Sequence, residues 1–175
     1  MGGNVFLVGM MGAGKTTLGR ALAQRTGREF VDTDRILVER TGVPVATIFE
    51  IEGEAGFRKR ESAVLEEVAA RSGCVVATGG GAVLTEGNRA VMRESGTVVY
   101  LRARLENLWE RTRHDTTRPL LATADPKGTL SELLEERDPL YREAAHIVVD
   151  VGSHGAPNLV NRVLAALRER EAQQP

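Results

Sequence analysis

The run Gly9-Met10-Met11-Gly12-Ala13-Gly14-Lys15-Thr16-Thr17 constrains this chain more than any other feature. It fits G-x-x-x-x-G-K-[ST], a loop whose backbone amides cradle a polyphosphate. Glycines at three places let the backbone bend tightly and keep side chains away from the phosphates. Gly12, Ala13 and Gly14 then present amides, and Lys15 can reach the β- and γ-phosphates. The Thr16 hydroxyl suits Mg²⁺, and Thr17 enters a helix whose positive end adds to the site. The flanks agree. Val5-Phe6-Leu7-Val8 is a short apolar run of the buried-strand type, and Leu18, Ala21 and Leu22 follow at helical spacing. Strand, glycine loop and helix is the context the motif requires. An ordinary glycine-rich turn needs neither Lys nor Thr at those two places.

Apolar runs that read as further buried strands lie at about 29–31, 74–77, 97–101 and 146–149. Helix-like patterns lie at 16–26, 58–71, 86–95, 104–112, 129–144 and 157–170. This alternation predicts an α/β fold, a parallel sheet with helices on both faces. Such sheets bind ligands at the carboxyl ends of their strands.

At 175 residues the chain is expected to form a single domain, 1–175, with a real core. Its net charge of -1 favours neither nucleic acid nor membrane as a partner. No stretch is long enough to span a bilayer, and no secretory leader is visible. The single Cys74 cannot form an internal disulfide and reads as a small buried hydrophobe. A cytoplasmic setting is expected. His114, His146 and His154 are isolated, without metal-ligand spacing. Trp109 fits a helical core or the base of a lid. The polar tail 168–175 is expected to fray.

The chemistry-bearing residues fall just after the strands. Asp32-Thr33-Asp34 follows Glu29-Phe30-Val31. If the extended state persists, both carboxylates share a face. One can hold a metal-bound water and the other can orient or deprotonate a hydroxyl. The plainer alternative is a helix N-cap with Asp in the first turn. Gly79-Gly80-Gly81 follows Val75-Val76-Ala77-Thr78 and leaves backbone amides open, either to a ligand or as a flexible turn. Thr78 sits where a second strand end can meet the Mg²⁺ shell. Arg58, after Phe57, can pair with a substrate carboxylate, although its spacing to Glu61 also reads as a surface ion pair. Arg118-Pro119-Leu120-Leu121 lies in the aperiodic stretch Thr112 to Pro126, the length of a lid. An arginine there can neutralise charge during group transfer. Arg111 lies just before that stretch. Arg137, in Arg137-Asp138-Pro139-Leu140-Tyr141, lies on the next helix.

Together these motifs resemble the shikimate kinases over nearly the whole chain. Ile48-Phe49, Gly53-Glu54 and Tyr141 carry the resemblance along with the residues above. The order Asp-x-Asp, Phe-Arg, Gly-Gly-Gly, Arg-Pro-Leu-Leu is more specific than the phosphate loop alone. The resemblance implies a three-layer P-loop nucleoside triphosphate hydrolase fold. Its five-stranded parallel sheet, in order 2-3-1-4-5, would be flanked by helices. A substrate segment over about 32–60 and a mobile lid over about 112–126 would complete it. It implies transfer of the ATP γ-phosphoryl to the 3-hydroxyl of shikimate. Arg58 and Arg137 would bind the carboxylate, and Asp34 the ring hydroxyls including the acceptor. Gly79, Gly80 and Gly81 would line the pocket, with a backbone contact from Gly80, and Phe49 and Phe57 would wall it. Lys15 and Arg118 would stabilise the moving phosphoryl. Thr16 would ligate Mg²⁺ with Asp32 in its outer shell, and Arg111 and Pro157 would flank adenine. A monomer is implied. Two other readings compete: a kinase for another small hydroxy or sugar acid such as gluconate, and a nucleotide-binding regulatory module without turnover.

Overall fold

The computed structural model describes residues 3–152 and 156–175, the side chains of Ala156 and Pro157 excepted. Five strands form one parallel sheet: β1 (Asn4–Val8), β2 (Glu29–Asp32), β3 (Cys74–Ala77), β4 (Gly96–Ala103) and β5 (Ile147–Val151). Their order is β2-β3-β1-β4-β5. β1 is central, with Val5 opposite Val75 on one side and Thr97 on the other. Every residue of β1 and β3 is buried, as a strand covered on both faces requires.

Among the described residues seven α-helices surround the sheet: α1 (Lys15–Thr26), α2 (Thr33–Thr41), α3 (Val45–Ala69), α4 (Glu86–Ser95), α5 (Leu105–Thr112), α6 (Pro126–Ala144) and α7 (Ala156–Gln173). Leu18 and Leu22 of α1, Val64, Leu65 and Val68 of α3, and Met92 of α4 pack against Phe6, Leu7, Val76 and Val98. Asn4 is buried too, but both ends of its side-chain amide are used. Its Nδ2 donates to Arg71 O at 2.9 Å and its Oδ1 accepts from Cys74 N–H at 3.0 Å. It is therefore a structural residue. Cys74 is a buried free thiol, as its apolar setting predicts. Trp109 packs half-buried on the core from α5.

Several expectations change. α2 follows the capping alternative at Asp32, the first half of α3 occupies a stretch with no expected helix, and α3 runs from Val45, not residue 58. Gly42, Pro44 and Gly53 interrupt the apolar spacing there. Gly53 takes φ 72 and ψ 178, which breaks α3 into two helical pieces at an angle. Strand β2 ends at Asp32, so Asp32 and Asp34 do not share a strand face. The 112–126 stretch contains a 3₁₀ turn at Pro119–Leu121. α7 extends through the polar stretch after Leu167 as far as Gln173.

Candidate active site

The site is built on the loop between β1 and α1. Gly12 and Gly14 stand at φ 82 and φ 93, where side-chain-bearing residues are strained. Gly12 is constrained a second time, since a Cβ there would meet Thr112 Cγ2 at 2.8 Å. Ala13 is buried and Thr17 is exposed. Lys15 Nζ donates to Gly9 O at 2.5 Å and to Met10 O at 3.0 Å. Burial lowers its pKa to about 8, against the pull of the Asp34 charge. Arg111 Nη1 donates to Gly12 O at 3.0 Å, which places that guanidinium beside the loop. Loop, Asp32, Asp34, Arg111 and Arg118 surround a cavity of about 520 Å³. The expectation for Pro157 concerns a side chain outside the described residues, and His154 lies outside them entirely.

Asp32 resolves both readings of the carboxylate pair. Its Oδ1 accepts from Asp34 N–H at 3.0 Å and Arg35 N–H at 3.3 Å, which caps α2. Its Oδ2 accepts from Thr16 Oγ1 at 3.1 Å. A hydroxyl and a carboxylate thus converge at the mouth of the phosphate loop. Hard oxygen donors of this kind fit Mg²⁺, which keeps few protein ligands and several waters. Asp34 lies in the first turn of α2, and its Oδ1 is buried without a partner. Burial raises its pKa, helped by Asp32 and opposed by Lys15, Arg118 and Arg58.

A second cavity of about 360 Å³ adjoins the first and shares Asp34, Gly79, Gly80 and Arg118 with it. Phe49 and Phe57, from the two halves of α3, wall it with ring centroids 4.5 Å apart. The Arg58 guanidinium lies 5.2 Å from the Phe57 centroid and 5.9 Å from that of Phe49. Arg58 does pair with Glu61 at 3.0 Å, but not on the surface, since the side chains are 14% and 1% exposed. Burial raises the pKa of Glu61, and its Oε2 has no partner.

The three glycines serve closeness more than flexibility. A Cβ on Gly79 would stand 2.8 Å from Glu61 Oε2 and 3.0 Å from Asp34 Oδ1. On Gly81 it would overlap the Arg58 guanidinium. Arg137 completes the wall from α6 at 2% exposure, with its Nε unpartnered. Arg118 enters from the 112–126 segment, its Nε donating to Asp115 Oδ2 at 2.9 Å. Thr78 lines the cavity of the phosphate loop, but its hydroxyl is engaged within the sheet. Its Oγ1 donates to Leu7 O at 2.9 Å and ties β3 to β1.

The fold thus brings Lys15, Thr16, Asp32, Asp34, Arg58, the triglycine, Arg118 and Arg137 around two connected cavities. Sequence reasoning missed Asp115, whose only signal is its three-residue spacing to Arg118. It also missed Thr112, which carries no local signal, because its contact with Gly12 is made across the fold.

A model of the shikimate kinase family matches residues 11–168. A shikimate kinase of Bordetella avium is 56% identical over 167 residues, covering 95% of this chain and 80% of that protein. One of Nitrosospira multiformis is 54% identical over 165 residues, covering 94% and 85%. A solved shikimate kinase from Acinetobacter baumannii, in complex with shikimate, superposes with a TM-score of 0.94 at 45% identity, covering 96% of this chain and 94% of that one. With the order of its strands and the placement of its loop residues, the chain belongs to the shikimate kinase family.

Proposed function

We propose that the two cavities hold ATP and shikimate and that the chain transfers the γ-phosphoryl group to the 3-hydroxyl, giving shikimate 3-phosphate and ADP. As a member of this family the chain is an ATP-dependent kinase. The observation that carries the acceptor reading is Arg137. It is a buried guanidinium with no carboxylate ion pair among the described residues, and it lines the second cavity. A buried cation calls for an anion. Shikimate brings one carboxylate, which Arg137 and Arg58 would bind, and three ring hydroxyls, which Asp34 would orient.

The roles follow from charge and reach. The acceptor oxygen attacks the γ-phosphorus, the bond to the β–γ bridging oxygen breaks, and Asp34 takes the hydroxyl proton. Phosphoryl transfer needs little covalent help, so positioning and charge supply most of the rate. Lys15 and Arg118 neutralise the charge that spreads over the phosphoryl oxygens. Thr16 and Asp32 would hold Mg²⁺, which when bound neutralises phosphate charge. The amides of Gly12, Ala13 and Gly14, with Thr17, bind the phosphates, and Arg111 flanks the base. Gly79, Gly80 and Gly81 give the acceptor backbone contacts, and Phe49 and Phe57 close around its ring. The 112–126 segment acts as the lid, excluding water that would otherwise compete with the acceptor. The 32–60 segment is the acceptor-binding part of one kinase domain. No described helix is long and apolar enough to cross a membrane. We place the enzyme in the cytoplasm as a monomer, with no nucleic-acid or membrane partner.

The test is ADP release from ATP and Mg²⁺ with shikimate, with gluconate or with no acceptor. Release that depends on shikimate and disappears in Lys15→Ala supports the reading. Release with gluconate alone overturns the acceptor. ATP binding without release under any condition overturns the shikimate reading and leaves a regulatory module or a kinase for an untested acceptor.

A further inference from the structure

Tyr141 lies on α6, one helical turn beyond Arg137, and is fully buried. The chemistry above gives it no part. Its hydroxyl donates to Gly80 O at 2.5 Å and lies 3.5 Å from Met10 Sδ. One side chain therefore joins the helix that carries Arg137, the triglycine segment and the phosphate loop. Its ring stacks on Tyr100 of β4, with centroids 4.9 Å apart and planes 30° apart. Burial pushes the Tyr141 phenol up to about 12, against the pull of the Arg137 charge, so it remains a donor.

The Gly80 carbonyl and the Gly81 N–H belong to one planar trans peptide and point in opposite directions. Anchoring the carbonyl on Tyr141 turns the amide to the other side. Among the described residues no backbone group accepts that amide. Gly81 lines the acceptor cavity with Arg58 and Arg137. A peptide between two glycines has wide rotational freedom, so an external tether is what gives it one orientation.

We infer that Tyr141 is a positioning residue for the acceptor, its hydroxyl setting the Gly80–Gly81 peptide so that the Gly81 amide is presented beside Arg58 and Arg137 to the acceptor carboxylate. The inference rests on the shikimate reading of the pocket, which already gives the triglycine backbone contacts with the acceptor, and adds to it the residue that orients them.

Tyr100 supplies a matched control. Its hydroxyl donates to Asp138 Oδ1 at 2.7 Å, on α6 but outside the acceptor cavity. Tyr141→Phe and Tyr100→Phe each keep the ring stack and remove a hydroxyl, the first from Gly80 O, Met10 Sδ and the neighbouring Arg137, the second from Asp138. Steady-state kinetics with both substrates varied then separates the site from the scaffold. Tyr141→Phe raises KM for shikimate about tenfold, the loss of one hydrogen bond to a charged group, and leaves KM for ATP within about twofold. Tyr100→Phe leaves both KM values within about twofold while lowering the melting temperature by a comparable amount. An unchanged shikimate KM in Tyr141→Phe, a parallel rise for ATP, or the same rise in Tyr100→Phe overturns the inference.

A second measurement needs no variant. In wild-type protein labelled with ¹⁵N-glycine, the Gly81 amide resonance shifts on adding shikimate. A Gly81 amide unmoved at saturation overturns the inference even if Tyr141→Phe fails to fold. Failure of the pocket reading is distinguishable, because wild-type protein would then neither bind nor phosphorylate shikimate.

Discussion

Arg137 and Arg118 face the same cavity from regions built in opposite ways. Arg137 sits in a wall shared by α2, α3 and α6, and this wall is buried and imperfectly satisfied. Asp34 Oδ1, Glu61 Oε2, Arg58 Nε and Arg137 Nε are all buried without partners. Each such group costs folding free energy on the order of 1–3 kcal/mol, and more when it is charged. Arg118 sits in the 112–126 segment with its side chain 36% exposed, paired to an Asp115 that is 27% exposed. The polar contacts of that aspartate are local: Thr117 N–H at 2.9 Å, the Thr117 hydroxyl, and Arg118. The wall sacrifices stability to hold fixed dipoles where, on the proposed reading, an acceptor would be bound. The segment keeps its charge among its own residues, so the charge can travel with it. On the proposed reading, specificity belongs to the first region, and the cation that arrives with closure belongs to the second.

Asp34→Asn tests the wall most severely. Turnover falls by about 10²–10⁴-fold, the usual range for a positioned proton acceptor, while ATP affinity holds within about threefold. Single-turnover phosphoryl transfer beside nucleotide binding checks this. Unchanged turnover would remove Asp34 from the chemistry and reduce the wall to a binding surface. Arg137→Ala comes next, weakening shikimate binding by about 2–5 kcal/mol, because the acceptor carboxylate would be buried without its partner. Calorimetric titration of shikimate reads it directly, and wild-type affinity would refute the role.

Arg118→Ala probes the other region. Turnover falls by about 10²–10³-fold, the scale of losing one preorganised electrostatic donor, and nucleotide affinity falls far less. Equal losses in both would make Arg118 a ground-state binder, and the contrast with Arg137 would then be one of location only.

How much of this was legible in the chain depends on how local the cause is. The phosphate loop lies in one contiguous run, and the buried strands announce themselves as apolar stretches, so both are readable without a fold. Asp32 was legible only as an ambiguity, because capping and metal-shell chemistry use the same carboxylate, and the structure gives one oxygen to the cap of α2 and the other to the Thr16 hydroxyl. Glu61 shows where local reading fails. Its spacing to Arg58 describes a surface pair on any helix. In the fold the triglycine segment comes up against Glu61, and this proximity is what forbids a Cβ at Gly79. The extent of the helix over Thr33–Thr41 was hidden for a similar reason, since only Thr33 and Leu37 of it are buried and the apolar period is too short to read. Tyr141 was visible as part of a motif, but its contact with Gly80 spans 61 residues and has no local signature.

The smallest expected effect decides whether the Arg118 region is a mobile tether or a second rigid wall. A half-exposed ion pair such as Arg118–Asp115 is worth about 0.2–1 kcal/mol. Asp115 also competes with the phosphates for the guanidinium, so removing it releases Arg118 at little cost. Asp115→Ala therefore changes kcat by less than about fivefold, with a rise favoured over a fall, and the coupling of Asp115→Ala with Arg118→Ala stays below about 1 kcal/mol. The four rates of that double-mutant cycle, measured at saturating shikimate and ATP, check it. A fall in kcat as large as that of Arg118→Ala would mean that Asp115 aims the guanidinium as firmly as packing aims Arg137. The two regions would then differ in exposure but not in preorganisation, and lid closure would carry an already assembled pair into the site.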